Sequence, residues 1–447
     1  AYIEGGLDGR VEKVSLEGSE GSFSIPEQFD LIIMNPPFTR ATGRTEKFGE
    51  ERGVFGFIIN EDAREPFLNA YDNIRRKVLD DLKSIANGSI NLFPNFIQQL
   101  INGKKGLKQY LSIGQAGEGL LFLYLAYSKI KEGGIIAFVL PRGLLAGVSW
   151  FLARVLLASK FHLKYVVVSS EPGSFNFSES TSLSEVLIVA KRVNEHNDDE
   201  ETLFIDILRK PKTTIEAVML AEESKRASRS LKPSEFTEVI AGDSHARIFK
   251  VSRRDLLENV DNWNKFVALP NKEIFSSVFP LLREGKIAVG KREIRLPMKR
   301  LEEIVERFGI DAHQFHDNFE VSMGITAYPI VYGGKEEVRS KMLVEPNCYV
   351  NPVKDKAKEI FKEFAGRVLI PDRIRWDTTH AIALYSKQPV LSNIFYAIKL
   401  KGCSEEAEKA LVLWFNTTWG ILTVLFNREE TEGRWTRLKM AQWLLLP

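Results

Sequence analysis

The segment Phe29-Asp30-Leu31-Ile32-Ile33-Met34-Asn35-Pro36-Pro37-Phe38 constrains this chain more than any other. An apolar run from Leu31 to Met34 leads straight into Asn35 and two prolines. Such a run reads as a strand buried on both faces, as in a parallel sheet. Neither proline can donate a ladder hydrogen bond, so the strand stops there and the turn that follows is stiff. One amide side chain, Asn35, is then held at the carboxyl end of a central strand. That edge is where open α/β sheets bind ligands.

A fixed amide at such a place suits chemistry on an exocyclic amine of a base. The lone pair of that amine is delocalised into the ring, which makes it a poor nucleophile. Two acceptors aimed at its hydrogens favour a more tetrahedral nitrogen and stabilise the charge that develops there. The Asn35 amide oxygen and the Pro36 carbonyl oxygen can supply them, and Phe38 offers an aromatic face for a planar base. The plainer alternative is a strand followed by a proline turn, with Asn35 as an Asx-turn residue.

The pattern Phe-Asp-x-Ile-x-x-Asn-Pro-Pro-Phe resembles the catalytic motif of amino-methyltransferases that use S-adenosylmethionine, especially DNA adenine-N6 methyltransferases. The tetrapeptide alone also serves ribosomal RNA and protein-glutamine methyltransferases. The resemblance implies a catalytic role for Asn35, Pro36, Pro37 and Phe38, S-adenosylmethionine as cofactor, and no metal or covalent intermediate.

With 447 residues there is room for two or three domains. A hydrophobic content of 44% and a charged content of 27% are ordinary for a globular protein. The apolar stretches are short and interrupted, so no membrane span is expected, and the first residues lack the pattern of a secretory signal. Cys348 and Cys403 fit a reducing, cytoplasmic setting and offer no metal cluster. The formal net charge is only +2, so contact with nucleic acid must come from local basic surfaces.

Along the chain, 39–56 reads as a loop, 64–84 and 94–102 as helices, and Leu120 to Ile130 as a further helix stopped by Lys131-Glu132-Gly133-Gly134. Ile135 to Leu140 reads as a buried strand, 146–159 as a helix, and Tyr165–Val168, Glu185–Ala190 and Leu203–Leu208 as strands. This alternation predicts a parallel sheet with crossovers. A helix over 214–225 and a polar linker over 226–245 follow. Beyond Arg247, short strand-like segments alternate with turns.

Lys131 through Pro141 resembles a strand entry from the second half of the methyltransferase sheet. Pro172-Gly173-Ser174-Phe175-Asn176-Phe177 resembles the loop whose aromatic stacks on an extruded base. Phe177 fits that position best and Phe175 is the reserve; either could instead fill the core. In the last third, Phe319 to Ile325, Arg367 to Arg373, Leu391 to Tyr396 and Gly433-Arg434-Trp435 resemble a target-recognition region. No cofactor glycine turn of the kind the family places before Asn-Pro-Pro-Phe is visible. The chain therefore looks like the carboxyl-terminal part of a longer methyltransferase.

Three basic clusters could meet phosphate. One holds Arg283, Lys286, Lys291, Arg292, Arg295, Lys299 and Arg300. The second holds Arg367, Arg373 and Arg375, and the third Arg428, Arg434, Arg437 and Lys439. Each could equally be a solvated surface. His313 and His316 sit three apart without further liganding residues, which favours surface histidines over a metal site. Glu118 is either site-lining or a helix N-terminal acid.

The expected fold is α/β. Residues 1–225 would form the second half of a Rossmann-like methyltransferase sheet and 245–447 a mixed α/β target-recognition domain. The expected partners are double-stranded DNA and an amino-terminal half or a specificity or nuclease subunit, with no membrane. The expected activity is adenine-N6 methylation in restriction–modification or phage defence. The alternative is a non-catalytic DNA-recognition module or one subunit of a split methyltransferase.

Overall fold

The computed structural model describes residues 10–14, 20–24, 26–37, 61–104, 107–174, 176–178, 183–268, 274, 278, 280–281, 285–290, 292–333, 336–376, 379–432 and 435–446. They form two compact units, Ala1–Trp263 and Asn264–Pro447.

In the first unit, β1 (Arg10–Val14) and β2 (Glu20–Ser24) make an antiparallel hairpin. The main sheet holds β3 (Phe29–Met34), β4 (Ile130–Pro141), β5 (Phe161–Ser169), β6 (Glu185–Arg192), β7 (Glu201–Arg209), β8 (Phe236–Ala241) and β9 (Ser244–Ser252). Their order across the sheet is β3-β4-β6-β5-β7-β9-β8. The helices are α1 (Glu61–Gly88), α2 (Asn95–Ile101), α3 (Glu118–Lys129), α4 (Gly143–Ala146), α5 (Phe151–Lys160), α6 (Thr214–Ser228) and α7 (Arg253–Glu258). Every residue of α5 from Phe151 to Ser159 is buried. This helix packs against α1, α3 and β5 and forms the centre of the unit.

The sheet is mixed, where alternation of elements predicts a parallel one. β3 and β4 are parallel, as are β5 and β7, but β6 runs antiparallel to both β4 and β5. The physical reason lies in the 170–184 connection, whose described residues contain no helix. Parallel neighbours need a crossover, usually helical, and without one the chain returns in the opposite direction. The 226–245 segment also differs from the expected linker. It completes α6 and enters the β8–β9 hairpin, which closes the far side of the sheet.

β3 is not the doubly buried central strand that its apolar run suggests. It pairs only with β4 among the described residues and ends the sheet. Ile32 is buried, whereas Leu31 and Ile33 are 55% and 72% exposed. An apolar run cannot distinguish a central strand from an edge strand that lacks a neighbour. Next to it, β4 absorbs Lys131-Glu132-Gly133-Gly134 as an irregularity in register between Phe29 and Leu31. Gly133 takes φ 77° there. A Cβ on Gly134 would stand 3.0 Å from the Asp30 carbonyl oxygen and 2.9 Å from Ile130, so glycine lets the two strands approach.

The second unit contains β10 (Lys286–Val289), β11 (Arg292–Arg295), β12 (Val305–Phe308), β13 (Phe319–Ser322), β14 (Pro329–Val331), β15 (Leu343–Val344), β16 (Cys348–Pro352), β17 (Gly366–Pro371), β18 (Arg373–Arg375), β19 (Leu384–Ser392), β20 (Phe395–Leu400), β21 (Glu429–Glu432) and β22 (Trp435–Arg437). One mixed sheet runs β12-β20-β17-β19-β14-β16-β13, with β15 added beside β19. Its core includes Phe315, Phe319, Ile330, Leu369 and Phe395. A separate three-stranded sheet runs β18-β22-β21, and β10–β11 is a hairpin. The unit is therefore mixed α/β, with helices at Asp355–Phe364, Glu405–Phe415 and Thr418–Asn427. Among the described residues no single helix is long and apolar enough to cross a membrane.

Candidate functional site

Asn35 stands directly after β3, at its carboxyl end, and is exposed. Pro36 is buried and Pro37 exposed. Phe38 lies outside the described residues. The Asn35 amide donates from Nδ2 to Ser178 Oγ at 3.1 Å. Its Oδ1 has no hydrogen-bond partner among the described residues. Two segments singled out separately in the sequence thus meet: the Asn-Pro-Pro turn and the loop after β5.

That loop is held at several points. The Ser169 hydroxyl donates to the Ser174 carbonyl at 2.8 Å, and Asn176 Nδ2 donates to the Ser178 carbonyl at 2.7 Å. Lys210, just past β7, donates to Ser174 Oγ at 2.9 Å and also to the Asn176 carbonyl. Burial lowers the pKa of this lysine, while the nearby Glu171 and Glu185 carboxylates oppose the shift. Glu185, the first residue of β6, is fully buried. Its Oε2 accepts the backbone N–H of Ser178 at 2.8 Å and that of Phe177. Its Oε1 is buried without a hydrogen-bond partner among the described residues. The preceding residue, Ser184, accepts the backbone N–H of Arg142 at 2.8 Å, tying the loop's far end to the end of β4.

The Phe177 ring packs against the apolar cluster of Leu203, Ile205, Val239 and Ile248, with the Lys210 ammonium 5.7 Å from its centroid. The ring is only partly buried there. Phe175 lies outside the described residues. Glu118 opens α3, is 4% exposed, and accepts a hydrogen bond from the Tyr71 hydroxyl. Burial first, and then this bond, push the Tyr71 phenol well above its ordinary range.

Of the basic residues, Arg292 and Arg295 are exposed on β11. The second and third clusters come together, because β18 pairs with β22 and sets Arg373 opposite Arg437 and Arg375 opposite Trp435. Asp372 organises this pair. Arg437 Nε donates to its Oδ1 at 3.3 Å, the Tyr396 hydroxyl donates to the same oxygen at 3.0 Å, and Arg373 Nε stands 3.7 Å from Oδ2. Arg434 lies outside the described residues. His313 and His316 are exposed on a short helix, and no group of three potential ligands is placed to hold a metal among the described residues. Both cysteines are free thiols.

A cofactor such as S-adenosylmethionine is approached by backbone at a glycine turn that joins a strand to a helix. In the first unit the glycines with positive φ are Gly103, Gly117, Gly133, Gly173 and Gly242. None of them joins a strand to a following helix, the arrangement that lets a backbone approach such a cofactor. Among the described residues no glycine turn of that kind is present.

Ser178, Glu185, Lys210 and Asp372 escaped the sequence reading. Glu185 left one signal, an acid at the head of an apolar strand. The serine and lysine left none, because their roles come from pairing across the sheet.

No protein-family model and no curated protein matches this sequence. Solved structures similar to it include the type IIG restriction endonuclease BpuSI, at 14% identity over 93% of this chain and 46% of that one, with a TM-score of 0.34. Another is the type I restriction-modification methyltransferase subunit from Streptococcus thermophilus, at 17% identity over 54% and 38%, with a TM-score of 0.29. A third is a type I R-M system structure, at 18% identity over 52% and 37%, with a TM-score of 0.25. The chain spans less than half the length of these proteins. The likeness is to restriction–modification proteins and is distant; superpositions this loose assign no function.

Proposed function

We propose that this chain carries the acceptor-base half of a site-specific DNA adenine-N6 methyltransferase of the restriction–modification or phage-defence kind. The supporting observation is the Asn35 amide. Its Nδ2 is committed to Ser178, and its Oδ1 has no partner among the described residues at the carboxyl end of β3. An amide in that state can accept from an exocyclic amine without first breaking a protein bond. The Pro36 carbonyl is the second acceptor, and Phe38 lies against the base. Adenine must leave the duplex stack to reach them. Phe177 joins the stack only if its ring leaves its present packing. Arg292, Arg295, Arg373, Arg375, Arg434 and Arg437 contact DNA, chiefly its phosphates.

No strand-to-helix glycine turn stands among the described residues, so on this reading this half of the site holds the amine and leaves the donor to another polypeptide segment. The unpaired edge of β3 is where further strands of the same sheet would join. The same absence among the described residues favours a second reading, a DNA-recognition module or one subunit of a split enzyme.

The test is methylation of duplex DNA by the chain together with the polypeptide that supplies the cofactor site, with nucleosides identified by mass spectrometry. The expected product is N6-methyladenine. Asn35→Ala should reduce single-turnover methylation by roughly a hundredfold or more, the scale seen on removing one preorganised hydrogen-bonding group, and leave DNA affinity nearly unchanged. Near-normal turnover of the variant, or methylation of another acceptor only, would overturn the reading. Calorimetric binding of S-adenosylmethionine to this chain alone should be weak or absent.

A further inference from the structure

We propose that Glu185 and Ser178 are positioning residues for the Asn35 amide, with the Glu185 carboxylate clamping the loop that carries the serine. The inference rests on the methyltransferase reading of Asn35 and deepens it.

The geometry forms a chain of contacts. Glu185 is fixed at the first position of β6, opposite Pro141 of β4. Its Oε2 gathers the N–H groups of Phe177 and Ser178. Backbone donors pointing at one carboxylate oxygen fix the local φ and ψ, and bonds to a charged acceptor are stronger than neutral ones. The Asn176 side chain bonds the Ser178 carbonyl, and the Lys210 ammonium bonds the loop from the opposite side. The Ser178 hydroxyl is thereby delivered to Asn35 Nδ2 at 3.1 Å. An amide side chain is two-sided: rotated by half a turn, Asn35 would present two N–H donors to the incoming amine, and the site would repel its substrate. In this structure the serine hydroxyl accepts from the NH2 end, which leaves the amide oxygen on the other side.

A buried carboxylate with one oxygen unpaired is costly for a fold that needed only a loop anchor. A neutral acceptor would satisfy the same two N–H groups. The charge suits a loop that must stay closed while a base enters beside it.

Four variants test this: Asn35→Ala, Ser178→Ala, Glu185→Ala and Glu185→Gln. Amide hydrogen exchange is followed at 176–178 in this chain, and single-turnover methylation in the complete enzyme. Glu185→Ala should raise exchange at Phe177 and Ser178 and slow methylation about tenfold, the worth of one hydrogen bond expressed as a rate. Glu185→Gln keeps an acceptor oxygen and should restore most of the protection and most of the rate. Ser178→Ala should slow methylation by a similar factor with exchange and DNA affinity unchanged. If Glu185→Ala leaves the two amides as protected as before, the clamp is refuted. If Ser178→Ala or Glu185→Ala methylates normally while Asn35→Ala does not, the positioning role fails and the function stands. If Asn35→Ala itself methylates normally, the underlying reading fails instead. Where a Glu185→Ala chain does not fold, Ser178→Ala decides, and its normal methylation refutes the positioning role by itself.

Discussion

Replacing Arg154 by Met should markedly destabilise the first unit. Arg154 is fully buried in α5. Its Nε donates to the Val260 carbonyl at 2.7 Å, Nη1 to those of Leu144 at 2.8 Å and Gly147 at 2.9 Å, and Nη2 to that of Asp261 at 2.7 Å. One guanidinium thus ties the helix to the turn after β4 and to the chain beyond α7. Methionine fills much of the volume but donates nothing. The Gly147 carbonyl also accepts the Trp150 N–H at 3.1 Å, so its loss matters least. Counting about 1 kcal/mol for each of the other three orphaned carbonyls gives a loss of about 3 kcal/mol, and the upper range is several times that. A domain commonly has only about 5–15 kcal/mol to lose. Lysine should fare no better, because a single ammonium cannot span the four acceptors. Urea unfolding followed by the fluorescence of Trp150 and Trp263, both buried in this unit, would measure the change. A loss below about 1 kcal/mol would refute the view that these bonds support the unit.

Other outcomes follow from the same packing and charge. Burial lowers the His162 pKa, opposed by the Glu201 carbonyl and the Glu200 carboxylate. The unfolded chain then takes up the proton first, so this contribution to stability is full above about pH 6.5 and is lost as pH falls through the lower folded value. Urea midpoints should decline on acidification, and His162→Gln should flatten that slope; an unchanged slope would remove His162 from the account. Arg373→Ala should reduce the salt dependence of DNA binding by about one unit of log–log slope with little effect on melting. Arg437→Ala should also lower the melting temperature, because this side chain bonds Asp372. Anisotropy titrations across a salt series, with melting curves for both variants, would separate the two effects. At Gly420 a Cβ would lie 2.1 Å from the Trp414 carbonyl oxygen and 2.5 Å from Phe415 Cα. Gly420→Ala should therefore force apart the helices Glu405–Phe415 and Thr418–Asn427 at a cost of about 1–3 kcal/mol, and wild-type stability in thermal melts would contradict it.

Much of this fold was legible because its signals are local. Apolar runs at Ile135–Leu140, Tyr165–Val168 and Glu185–Ala190 became β4, β5 and β6, and the expected helix before them ends at Lys129, although the glycine pair read as its stop lies inside β4. What stayed hidden depends on neighbours distant in the chain. The apolar face of β3 looks the same in sequence whether or not a strand lies on its open side. The direction of β6 was set by a connection without a described helix. Asn35 and Ser178 are 143 positions apart, and nothing near either announces the other. The basic clusters around Arg373 and Arg437 were separate on paper and became one surface through the β18–β22 pairing. Phe177 fitted the spacing of a base-stacking aromatic, but spacing does not say which face of a loop the ring takes.

The Glu185 contact also bears on how this protein reaches its final state. The loop over 176–178 is anchored by a side chain that begins β6, and β6 lies between β4 and β5. On the other side of the site, β3 must find β4 across an intervening chain that contains α1, α2 and α3. Pairings of such long sequence separation form slowly, because loop closure is costly before its contacts reward it. The Asn35–Ser178 contact therefore belongs among the last to form during refolding, after the helices have condensed. A reporter placed at Ser178 would follow completion of the whole sheet, and its slow phase would lag behind the recovery of helical signal.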